Sequence, residues 1–141
     1  MPKKSTSHLE NELKRSESLE AFLDNNQDEL SREELPELLQ VLADSRGMTK
    51  ADIVKASNLN EIYAYQILSG ARRPSRDKLL CMCFALNATL EETQEVLKKS
   101  GFAPLYARNQ RDSIIMYALS HDRTVIQLNE DLFDYGEPLV E

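Results

Sequence analysis

The chain has no tryptophan, two cysteines, two histidines, four glycines and no apolar run near the roughly 20 residues that span a membrane. Each scarcity removes a class of protein. His8 and His121 are the only histidines, one in a polar tail and one in a turn pattern. There is no HExxH, no phosphate-binding glycine loop, no nucleophile elbow and no Cys/His cluster. No enzymatic activity, cofactor or metal is therefore expected. Cys81 and Cys83 lie two apart in the apolar run LLCMCFAL. On a helix such side chains point about 200° apart. They cannot easily pair or share a metal, and buried core thiols are expected. Gly47, Gly70, Gly101 and Gly136 each follow a helical pattern. They read as C-terminal caps, which leaves none for a phosphate cradle. The stretch MPKKSTSHLENELK has no apolar segment after its lysines and does not read as a secretory signal. A cytoplasmic protein without membrane contact is expected.

What is present is charge, at 29% of 141 residues, with 41% hydrophobic residues. That balance suits a soluble globular chain with one core and helical extensions. The net charge is −7, which by itself argues against a polyanionic partner. The charge is segregated, however. Residues 1–45 hold 5 basic and 11 acidic side chains, and residues 81–141 hold 5 and 10. Residues 46–80 hold 7 basic and 3 acidic side chains and form the only positive third. Phosphate contact depends on the field within a Debye length of roughly 8–10 Å, not on whole-chain charge.

That positive third centres on Met48–Ser75, MTKADIVKASNLNEIYAYQILSGARRPS. Thr49 with Asp52 three residues on fits a capping box, and Ile53 and Val54 are inward candidates. Asn58 suits a left-handed turn position. Asn60 then caps a second helix, with Ala64 and Ile67 inward and Gly70 at its end. Pro74 and Ser75 restart the chain. Two helices across a three- to four-residue turn, the second presented outward, make a helix-turn-helix.

The rest of the chain also reads as helix. Residues 1–8 are polar and expected to fray. Leu9, Leu13, Leu19, Phe22 and Leu23 suggest one or two amphipathic helices, Ser18 capping the second. Ser31–Glu34 fits a capping box before Leu35, Leu38, Leu39 and Leu42, with Pro36 in the first turn. Ser75 caps a helix over 76–86 that is apolar nearly all round and so buried. Thr89 and Glu92 open another capping box, with Leu90, Val96 and Leu97 inward. FAPLYARNQ reads as an extended linker. Asp112 or Asn109 starts a helix with Ile114, Ile115, Tyr117, Ala118 and Leu119, and Thr124 caps a last one with Val125, Ile126, Leu128, Leu132 and Phe133, ending at Gly136. Strand signals are weak throughout, so the fold class is all-α.

The order Thr49-Lys50, Ile53-Val54, Asn58-Leu59-Asn60, Ile67, Gly70, Arg72-Arg73-Pro74-Ser75 and then an apolar helix resembles the XRE, or Cro/C1 phage-repressor, helix-turn-helix of bacterial regulators. YAYQILSGARRPSRDKLL resembles a subset of small bacterial regulators with an extra helical C-terminus. The first resemblance covers roughly residues 35–100. It implies a five-helix DNA-binding domain over 31–101, an acidic, partly helical arm over 1–30, and a C-terminal helical pair over 102–141. That pair would pack on the core or on a second subunit. Lys50 stands where the family commonly has a glutamine on the DNA backbone, and Glu61 stands where it often has Gln. Val54 and Asn58 replace a small residue and a glycine. Arg72, Arg73 and Ser75 follow the recognition helix, where the family often places phosphate contacts.

With Asn60 as the cap, the outward side chains near the start of the second helix are Glu61, Ile62, Tyr63, Tyr65 and Gln66. Gln66 can pair with adenine, Ile62 can meet a thymine methyl, and Glu61 can accept from cytosine N4. Tyr63 and Tyr65 offer hydroxyls to phosphates or rings to sugars. The reading is a sequence-specific transcriptional regulator that inserts helix 61–69 into the major groove of double-stranded DNA as a homodimer. The competing reading is a protein-interaction module, antitoxin-like or adaptor, that keeps the fold without reading DNA. The acidic arm or the C-terminal helices would then contact a protein partner.

Overall fold

A computed structural model describes residues 5–16, 18, 19 and 34–141. The described residues are helical, in eight helices, with no strand among them. None of these helices is long and apolar enough to cross a membrane. The chain divides into two compact units, Met1–Arg32 and Glu33–Glu141.

In the first unit, α1 spans Thr6–Arg15. It begins earlier than the polar composition of residues 1–8 predicts, because the Ser5 side chain accepts from the His8 N–H at 3.1 Å and caps it. No residue of α1 is buried. Beyond Ser18 and Leu19, the expected second helix of the arm lies outside the described residues, as do Ser31–Arg32–Glu33 of the expected capping box.

In the second unit, α2 spans Glu34–Ser45, α3 Lys50–Ala56, α4 Glu61–Ser69, α5 Arg76–Ala85 and α6 Leu90–Lys99. Helices α7, Gln110–Ser120, and α8, Val125–Asp134, follow. Pro36 falls in the first turn of α2, where its missing N–H costs no helical bond. Side-chain caps set most of the other boundaries. Thr49 with Asp52, Thr89 with Glu92 and Thr124 with Gln127 are complete capping boxes. Asn60, Ser75 and Asn109 accept from the third residue of their helices.

Helix α5 is the centre. Every residue from Leu79 to Leu86 is buried, Cys81 and Cys83 included. Burial pushes both thiols up to about 12, so they are uncharged core groups. Helix α5 is surrounded by α3, α6 and α8. Helix α2 packs on α4 and α6, while α7 packs on α6 and α8. The C-terminal pair therefore packs on its own chain. Ile115, Ala118, Leu119, Val125, Leu128 and Leu132 join the same core cluster as Leu39, Ile53 and Ile67. Residues 102–141 share one compact unit with 33–101.

Long side chains fasten the linker and the tail. Gln94 accepts from the Leu105 N–H at 2.7 Å and donates to the Leu105 carbonyl at 2.9 Å. Asn129 holds Val140 in the same way, at 2.8 and 3.1 Å. Val140 is buried beside Cys81.

Candidate nucleic-acid interface

The α3–α4 pair is built by local chemistry. The buried Ser57 hydroxyl donates to the Val54 carbonyl and accepts from the Leu59 N–H, closing the turn. Asn58 takes φ +60, a conformation Asn tolerates better than most residues. The Asn60 side chain accepts from the Tyr63 N–H and starts α4. Ala64 and Ile67 are fully buried, so the opposite face of α4 is turned outward. Helix α4 ends at Gly70, φ +85, where a Cβ would also stand 3.1 Å from Pro36 Cγ. A non-glycine residue here meets both a backbone penalty and a crowded neighbour.

Ile62, at 70% exposure, with Glu61 and Tyr65, faces solvent near the start of α4. Lys50 is exposed at the first position of α3. Neither Glu61, Tyr65 nor Lys50 has a side-chain hydrogen bond or ion pair with a described residue. Tyr63 and Gln66 are half-buried. The Arg72 guanidinium lies 4.9 Å and the Lys78 ammonium 5.2 Å from the centre of the Tyr63 ring. Arg72 also donates its Nε–H to Gln66 Oε1 at 2.9 Å.

The basic residues of 46–80 divide by their partners. Arg46 pairs with Glu92, and Arg76 with Asp112, so these two are neutralised within the fold. Lys50, Lys55, Arg72, Arg73 and Lys78 have no ion pair with a described residue. Arg73 has another task, since it donates to the Ser100 carbonyl at 2.9 Å and so caps the end of α6. The Ser75 hydroxyl accepts from the Lys78 N–H at the start of α5. Arg76 reaches the Ala103 and Pro104 carbonyls as well as Asp112. Lys78 joins the patch without having been singled out from sequence. It lies 15 residues from Tyr63, and no periodicity links positions so far apart. At the other edge of α3, the Thr49 N–H and hydroxyl hold the Asp52 carboxyl below its usual range.

The outward face of α4 thus offers an aliphatic side chain, a carboxylate, a phenol and an amide, beside several uncompensated cations. No protein-family model, curated protein or solved structure matches this chain.

Proposed function

We propose that the protein is a DNA-binding transcriptional regulator of the phage-repressor helix-turn-helix type. Helix α4 enters the major groove, and two copies bind two half-sites about one helical turn apart. The observation that carries the reading is Ile62. It is an aliphatic side chain 70% exposed on a well-capped helix whose other face is fully buried. It serves no packing in its own fold, and it stands where such helices meet base edges. Glu61, Tyr65 and Gln66 share that outward surface, while Lys50, Arg72, Arg73 and Ser75 flank it with donors suited to phosphate. Phosphate contacts position such a domain and base contacts specify the site.

The test is electrophoretic retardation of genomic fragments by the full chain at rising salt. Selective retardation that weakens with salt supports regulation of DNA. Its absence at low salt rejects it.

A second reading, a protein-interaction module, is favoured by one observation. Helix α8 turns two large apolar side chains outward, with Ile126 57% and Phe133 76% exposed beside Leu139. Glu130, Asp134 and Glu141 line the same shallow groove of about 440 Å³. Such a surface suits a partner helix with an apolar stripe flanked by lysine or arginine.

A further inference from the structure

We infer that Gln66 and Arg72 act as one donor-rich reading unit that selects guanine, an inference that rests on the DNA-binding reading above. The loop after α4 fixes the pair twice. The Arg72 backbone N–H donates to the Gln66 carbonyl at 3.2 Å, and the Arg72 side chain donates its Nε–H to Gln66 Oε1 at 2.9 Å. Guanidinium groups only donate, so the amide atom facing Arg72 is the oxygen and the Gln66 Nε2 group points away. The Tyr63 ring, 4.9 Å from the guanidinium carbon, backs the arginine and limits its freedom. Neither the terminal nitrogens of Arg72 nor Gln66 Nε2 bonds to a described residue.

The consequence follows from base-edge chemistry. An unrestrained glutamine pairs with adenine by accepting from N6 and donating to N7. Here Arg72 takes one lone pair of the accepting oxygen. An adenine amino group on the other would stand beside a guanidinium donor. Guanine presents two acceptors, N7 and O6, in the major groove, and cytosine presents a donor. A surface on which N–H groups predominate therefore favours guanine. The same donors also suit a phosphate, and the two targets give different mutational signatures.

The test uses the full chain and duplexes selected from a randomised library. Affinities are then measured on the enriched duplex and on versions with each conserved guanine changed to adenine. For the wild type, one such change costs roughly tenfold or more. Arg72→Met keeps much of the length but removes every donor, whereas a lysine would still donate to guanine. It should bind the guanine and adenine versions about equally, and Gln66→Ala should weaken the same preference. Arg72 is exposed, so a thermal melt of Arg72→Met near that of wild type shows that the fold is kept. Unchanged guanine preference in Arg72→Met overturns the inference. So does a weakening by Arg72→Ala that is equal on every duplex, which identifies a phosphate contact. A library without any enriched sequence rejects the DNA-binding reading itself, and this inference with it.

Discussion

Arg111 places its two terminal nitrogens on the two carboxylate oxygens of Asp77, at 3.1 and 3.0 Å, while its Nε–H and Nη2 also reach the Pro138 and Leu139 carbonyls. One side chain thus ties the start of α7 to the start of α5 and to the tail. The neighbouring residues, Arg76 and Asp112, pair in the opposite sense. Planar bidentate geometry in a partly covered site is where an ion pair contributes measurably. A double-mutant cycle with Arg111→Ala and Asp77→Ala should give a coupling of about 1 kcal/mol in denaturant unfolding. A coupling near zero would leave only the contacts to the tail carbonyls.

Removing residues 102–141 should expose the side of α5 that α8 and Val140 cover. Each large apolar side chain so uncovered costs about 1.5–3 kcal/mol, against a net stability of about 5–15 for a typical domain. The shortened chain should aggregate or lose its cooperative melt. A soluble, equally stable product would show that the C-terminal pair adds nothing to the core.

Gly70 and Gly136 give a matched comparison. Both have positive φ, but a Cβ on Gly136 meets nothing within 4 Å, whereas one on Gly70 meets Pro36 at 3.1 Å. Gly136→Ala should cost about 1–2 kcal/mol from the left-handed backbone alone. Gly70→Ala should cost more, read as a lower denaturation midpoint. Equal losses would mean that Pro36 yields freely.

Glu92 carries a pH dependence. Its hydrogen bond from the Thr89 N–H and its pairing with Arg46 hold the carboxyl below the ordinary 4.5. A carboxyl depressed in the folded state stabilises fully above its unfolded value, and that contribution is lost as pH falls through the folded value. The wild type should therefore exceed Glu92→Gln in melting temperature at pH 7. The gap should shrink below about pH 4.5. A constant gap from pH 7 to pH 3 would exclude an ionic origin.

Arg73 divides two roles that a salt titration separates. If it neutralises one phosphate, Arg73→Ala lowers the slope of log affinity against log salt by about 0.9 per protomer. If it only caps α6 through Ser100, the slope stays and the melting temperature falls.

Much of the architecture was legible because it is local. Thr49, Asn60, Ser75, Thr89 and Thr124 each satisfy an N–H three residues on, and Asn58 and Gly70 each take a positive φ that their residue types tolerate. The inward positions Ala64 and Ile67 follow from helical spacing. Composition starts the N-terminal helix at Leu9, three residues later than Thr6, since the Ser5 cap is hidden in a polar run.

The sequence by itself determined most helix ends, most buried positions and the location of positive charge, because caps and periodicity act within a few residues. Only the tertiary structure decided what the long polar side chains do with that charge. It set Arg73 on the Ser100 carbonyl, Arg76 on the linker, Arg72 on Gln66 and Asn129 around Val140. A long flexible side chain reaches several ångströms in many directions, and its partner is whichever group packing brings within hydrogen-bond distance.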